Sequence, residues 1–273
     1  MDSPGPWETA IDAFAVFQRS IGIMDTSIAT RRQQLGRVAR TIGVPDPWVV
    51  TADQLRTFMV RQPWKTETKR SRRTTLRVFY RWGTDEGHIE KSPALALPRV
   101  KPARANPSPI PDEVYLPVLR TAPAREVVML SLAADHGLRR MEVAQVWPER
   151  DMWRDLEGWT LTVHGKGGHD RDVPLTDSMA ALLLAMGPGY AFPGNDHGHL
   201  SPRWVGKLCN RLLPDAWTIH KLRHRAGSRF REESGGDLRL VAELLGHADV
   251  KTTMIYTKVR DTELRDVVNR SAA

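Results

Sequence analysis

Residues 244–256 read LLGHADVKTTMIY. Gly246 and His247 fall at an expected helix end, a short polar connection follows, and Thr252 and Thr253 are placed to cap a last short helix carrying Tyr256. A phenol with an ordinary pKa of about 10 is a weak nucleophile at neutral pH. It becomes useful where neighbouring groups take its proton and stabilise the charge that develops. The chain offers such groups: His220 and Arg223 in HKLRH, Arg139 in HGLRRMEV, and Lys166 in HGKGGHDRDVPL.

Each of these lies at a recognisable place in the local pattern. Gly137 breaks an apolar helix over 124–135, and 138–146 forms the next, so Arg139 stands at a helix start just after a turn. Glu142, three residues on, shares its face and can orient the guanidinium. Residues 159–163 and 171–175 alternate as short strands around GKGGHD, a hairpin with Lys166 at its turn. A glycine-flanked lysine also suits a phosphate loop, but no Ser or Thr follows Lys166 as a nucleotide-binding motif requires. HKLRH belongs to a helix over 219–233, and 238–245 forms another that leads into Gly246.

In this order, G-L-R, a hairpin lysine, H-x-L-R-H, L-G-H and a tyrosine nine residues after that histidine resemble the tyrosine recombinases, or phage integrases. The resemblance runs from about residue 107 to the C-terminus, and more loosely over the N-terminal part. It implies a mainly α protein with a small β-hairpin or sheet (α+β). A helical, SAM-like core-binding domain would occupy 1–100 and a linker 101–110. A catalytic domain with a C-terminal tail helix would occupy 111–273. It implies that Arg139, Lys166, His220, Arg223, His247 and Tyr256 are catalytic. Arg139 and Arg223 would hold the non-bridging oxygens of a phosphodiester, and His247 would donate a further hydrogen bond. Lys166 would protonate the leaving 5′-oxygen, and His220 would help take the proton of Tyr256. Tyr256 would hold the DNA as a 3′-phosphotyrosyl ester, so neither a metal nor an energy cofactor is called for. The implied partners are double-stranded DNA core sites and three further copies, a tetramer on two sites that is monomeric or dimeric without DNA. An accessory DNA-bending protein is a further candidate partner. Arg140 and Met141 depart from the smaller residues frequent after the first arginine, away from any implied catalytic position.

Composition agrees with a polyanionic partner. The 273 residues hold 40 Lys and Arg against 32 Asp and Glu, a formal charge of +8, although many basic proteins bind no nucleic acid. The single cysteine, Cys209, cannot form an internal disulfide and fits a reducing compartment. Residues 1–7 do not read as a signal peptide, and apolar runs such as 127–134 are far too short to cross a bilayer. A cytoplasmic, nucleoid-associated protein with no membrane partner is expected.

The N-terminal region reads as four helices: 10–21, one capped by Thr26 or Ser27 and running to Ile42, one opened by Thr51 or Asp53, and one over 66–85. In the last, Lys69, Arg73, Arg77 and Arg81 recur every four residues, while Leu76, Phe79 and Tyr80 lie to another side. Such a stripe is either a solvated face or a DNA-binding one, and the resemblance favours DNA. Residues 92–111 hold six prolines and are expected to be an extended connector, with the boundary near Ala105. The chain reads as starting directly at the core-binding region, a simple recombinase without a further arm-binding domain. His197 and His199 lack the cysteine or carboxylate companions of a metal site. Three other readings compete: a cellular recombinase resolving chromosome or plasmid dimers, a type IB topoisomerase, and a non-catalytic DNA-binding regulator on the same fold.

Overall fold

The computed structural model describes residues 5–102, 108–165, 168–214 and 217–246. The chain forms two compact units, Met1–Arg104 and Ala105–Ala273. The architecture is mainly helical with one small sheet, an α+β fold as the sequence predicts.

In the first unit, α1 (Pro6–Ser20), α2 (Asp25–Ile42), α3 (Ala52–Arg61) and α4 (Thr66–Asp85) pack around aromatic side chains. Thr51 caps α3 by accepting from the Gln54 backbone, and Gln54 reaches back to the Thr51 amide, which closes the first turn. Neither Thr26 nor Ser27 caps α2. That helix starts at Asp25 behind Met24, with the Asp25 carboxylate in the first turn where the helix dipole favours negative charge. On α4, Leu76, Phe79 and Tyr80 are buried. Phe79 meets Phe14 edge-on at 5.4 Å and stacks on Trp48 at 5.3 Å. Gly83 lets Trp48 reach the helix, since a Cβ there would lie 2.3 Å from the indole. Not all of 92–111 is an extended connector. Pro93–Ala96 forms a single 3-10 turn, and Ala94 and Leu97 are buried in the core of this unit, because SPALAL carries enough apolar surface to be drawn in.

The second unit is built on α6 (Ala124–Ala134), whose Val128–Ala134 stretch is buried throughout. Before it lies α5 (Asp112–Thr121), and after it α7 (Arg140–Ala144). Pro148 does not end a helix here but begins one, the single turn α8 (Pro148–Asp151), as suits a residue lacking an N–H at a first helical position. It leads into β1 (Met152–Arg154), a strand the sequence reading lacks. β1 pairs antiparallel with β2 (Trp159–His164), which pairs antiparallel with β3 (Asp170–Leu175). Leu161 and Val163 of β2 and Val173 and Leu175 of β3 face the core, while Thr162 and Asp172 face out and hydrogen-bond. Next come α9 (Asp177–Leu184), capped by Thr176, and the short strand β4 (Pro193–Asp196), which bridges to His199. Then follow α10 (Pro202–Leu212), capped by Ser201, α11 (Ile219–Glu233), and α12 (Leu238–Leu245), capped by Asp237. Among the described residues, no helix is long and apolar enough to cross a membrane. Cys209 is buried on α10, and burial pushes its thiol up to about 12.

Candidate active site

The site grows from the turn before α7. Arg139 is its extended N-cap, and its backbone N–H donates to the Glu142 carboxylate at 2.8 Å. The Arg139 guanidinium reaches the other oxygen of Glu142 at 2.7 Å and donates through Nη2 to the Gly246 carbonyl at 3.0 Å. Arg223 comes from the first turns of α11 and is almost fully buried. It donates to the carbonyls of Gly137 and Leu245 and lies 3.7 Å from Glu142. The helix that carries it is held from behind by Arg225, which donates to Asp112 of α5 and to Asp135 and stacks over Tyr115 at 4.5 Å.

A third guanidinium joins them that sequence reasoning missed. Arg171 of β3 grips Glu142 with both forks, at 3.0 and 2.8 Å, and donates to the Leu244 carbonyl at 3.1 Å. Arg171, Arg223 and Arg139 thus take the carbonyls of Leu244, Leu245 and Gly246 in turn, the acceptors that a helix end leaves without intrahelical partners. Gly246 closes α12 in the left-handed region at φ +60. A Cβ there would lie 2.7 Å from Arg171 Cδ, so the position is restricted both by conformation and by space.

Burial pushes the Glu142 carboxyl up, but the hydrogen bonds and charge of Arg171 and the donors of Arg139 outweigh it and hold the group at about 2. One carboxylate for three guanidiniums leaves the cluster with an excess of positive charge. That excess faces a concavity of about 980 Å³ lined by Arg139, Arg140, Arg203, Lys207, Arg211 and Arg223, with no carboxylate among the described residues of its lining. Arg203, Lys207 and Arg211 recur every four residues on α10, the spacing that marks the stripe on α4, and the sequence reading passed over them. His220 opens onto the same concavity. Burial, then Arg223, Arg139 and Arg140, lower its pKa, so its ring is neutral at pH 7 and has a lone pair to accept a proton. His224 packs edge-on against it at 4.7 Å.

Of the six residues singled out in the sequence, Arg139, His220 and Arg223 converge here. Lys166, His247 and Tyr256 lie outside the described residues, as do the tail helix and the cap by Thr252 and Thr253. The strands leading to the hairpin turn are braced at their turn end by His164, which bonds Asp151 at 3.1 Å and Asp170 at 2.9 Å. The hydrogen bond to Asp151 in particular raises its pKa. On α4 of the first unit, Arg73 spends Nε and Nη2 on the Leu97 carbonyl at 3.2 and 3.0 Å. Arg81 lies 3.7 Å from Asp85 with both side chains exposed, and Lys69 and Arg77 are half-buried. Among the described residues, no three His, Cys, Asp or Glu side chains are placed to hold a metal. His199 is buried and bonds the Leu200 carbonyl at 2.7 Å.

Two guanidinium forks on one carboxylate, at the edge of a basic hollow beside a neutral imidazole, form a site for a tetrahedral or pentavalent oxyanion such as a phosphodiester. The class this defines is an enzyme acting on a polyanionic backbone. Residues 115–263 match the phage integrase family, and the chain belongs to that family, the tyrosine-type site-specific DNA recombinases. It is 33% identical over 237 residues to the tyrosine recombinase XerC of Xanthomonas campestris pv. campestris (strain B100), a match covering 79% of this chain and 72% of the relative. In fold it is similar to a lambda integrase (75–356) dimer bound to a COC′ core site, with a TM-score of 0.71 and 20% identity, covering 89% of this chain and 96% of the other. It is similar also to the XerH site-specific recombinase bound to palindromic difH, with a TM-score of 0.72 and 19% identity over 96% of this chain and 84% of the other.

Proposed function

We propose that this recombinase integrates or excises a phage or mobile element, cutting and rejoining double-stranded DNA core sites as a homotetramer on two sites. The observation that carries the reading is the Arg139–Arg223 pair on Glu142 at the mouth of a basic concavity. In it, Arg139 and Arg223 hold the non-bridging oxygens of the scissile phosphate and neutralise the charge that grows on them. Tyr256 attacks phosphorus, His220 helps take its proton, and Lys166 protonates the departing 5′-oxygen. His247 adds a hydrogen bond to the phosphate. The 3′-phosphotyrosyl ester conserves the energy of the broken bond, and a 5′-hydroxyl from the partner strand reverses the step. The α4 stripe of Lys69, Arg73, Arg77 and Arg81 lies along DNA, the protein acts in the cytoplasm of a bacterial host cell, and a DNA-bending protein serves as an accessory factor.

A second reading, resolution of chromosome or plasmid dimers, is favoured by the XerC relative. A plasmid carrying two direct copies of a candidate core site tests both, with EDTA present throughout. Exchange into two circles on the junctions of the element supports integration or excision. Exchange on the chromosomal dimer-resolution site supports the second reading. Relaxation without exchange on any site contradicts both and points to topoisomerase chemistry.

A further inference from the structure

We propose that Arg171 is a positioning residue that aims the Arg139 guanidinium, acting through Glu142 and the end of α12. Arg171 is not among the described residues that line the basic concavity, as Arg139 and Arg223 are. Its donors are spent inward instead, two on Glu142 and one on the Leu244 carbonyl. Each oxygen of Glu142 is shared: Oε1 takes Nη1 of both Arg139 and Arg171, and Oε2 takes the Arg139 backbone N–H and Arg171 Nη2. The other nitrogen of the Arg139 fork rests on the Gly246 carbonyl, and Gly246 lies directly against the Arg171 stem.

Both supports of Arg139 are therefore supports that Arg171 holds. A carboxylate gripped in two-point contact cannot rotate about its last side-chain bonds, whereas one held by a point charge can. β3 supplies the frame, since Arg171 pairs with Val163 within the β2–β3 ladder, one pair in from its turn end. Arg171 thus ties the sheet, the α7 N-terminus and the α12 C-terminus into one mount for the arginine that meets the phosphate. The inference rests on the proposed role of Arg139 at the scissile phosphate, and its test separates the two.

The full-length protein first selects, by covalent capture, its own substrates from nicked duplexes with randomised flanks. Wild type, Arg171→Lys, Arg171→Gln and Arg139→Ala are then compared on the selected duplex in two forms. One carries a phosphodiester at the scissile position and the other a neutral methylphosphonate, which lacks the anionic oxygen that Arg139 is to neutralise. Arg171→Lys is expected to bind the duplex within about twofold of wild type and to cleave the phosphodiester about 10- to 100-fold more slowly. On the methylphosphonate, the deficits of both Arg171→Lys and Arg139→Ala are expected to shrink several-fold. If Arg139→Ala recovers there and the Arg171 variants do not, Arg171 has no part in aiming Arg139. If Arg139→Ala does not recover, the assignment of Arg139 falls, and this inference with it. Two Arg171 variants that neither fold nor bind would make the residue structural only, and so would cleavage by Arg171→Lys at the wild-type rate.

Discussion

Glu142 carries the electrostatics of the site. Its side chain is 3% exposed, yet it stays ionised because guanidiniums surround it. Its folded pKa of about 2 lies below the ordinary 4.5, so its contribution to stability is fully present above pH 4.5 and is lost as the pH falls toward 2. Glu142→Gln is expected to lower unfolding free energy by roughly 3 kcal/mol at pH 7. The gap to wild type should stay constant at higher pH and narrow below 4.5, as urea titrations across pH would show. A gap that widens in acid would contradict this account of Glu142. Part of the cluster was legible in the sequence. Arg139 and Glu142 stand three residues apart at a helix start, a spacing that brings side chains together. Arg171 stands 29 residues from Glu142, and only the register of the β2–β3 ladder brings it there, which no local periodicity encodes.

Helices were the most legible elements, because caps and apolar spacing act within a few residues. α4, α11 and α12 lie where the sequence puts them, and Thr51, Thr176 and Ser201 cap as predicted. β1 was missed because three residues are too few to show alternation, and it exists only by pairing with β2. The stripe on α4 shows how tertiary contacts divide residues that the sequence treats alike. Arg73 is bound to the Leu97 carbonyl, so Arg73→Ala is expected to destabilise the first unit by about 1–2 kcal/mol, seen as a lower melting temperature. Lys69→Ala and Arg77→Ala should leave melting almost unchanged. Each should instead reduce by about 1 the slope of log affinity for duplex DNA against log salt. An unchanged salt slope in both variants would remove the stripe from the DNA interface.

Across the whole molecule, the formal charge of +8 understates how the cations are used. Many are paired with carboxylates on the surface, whereas Arg203, Lys207 and Arg211 of α10 gather along the concavity of the second unit with Arg139 and Arg223. Family membership and general fold were readable because the motif residues follow one another at short, fixed spacings along the chain. The internal mount behind them was not readable, since it depends on contacts between β3, α7, α11 and α12. The account as a whole turns on a covalent bond between Tyr256 and DNA. Nicked duplexes carrying the junctions of the element, incubated with the protein and run on a denaturing gel, test it most directly. The expected result is a covalent protein–DNA band that Tyr256→Phe abolishes while binding the same duplex as tightly. A band that persists in Tyr256→Phe, or firm binding with no band on any duplex tested, would contradict it.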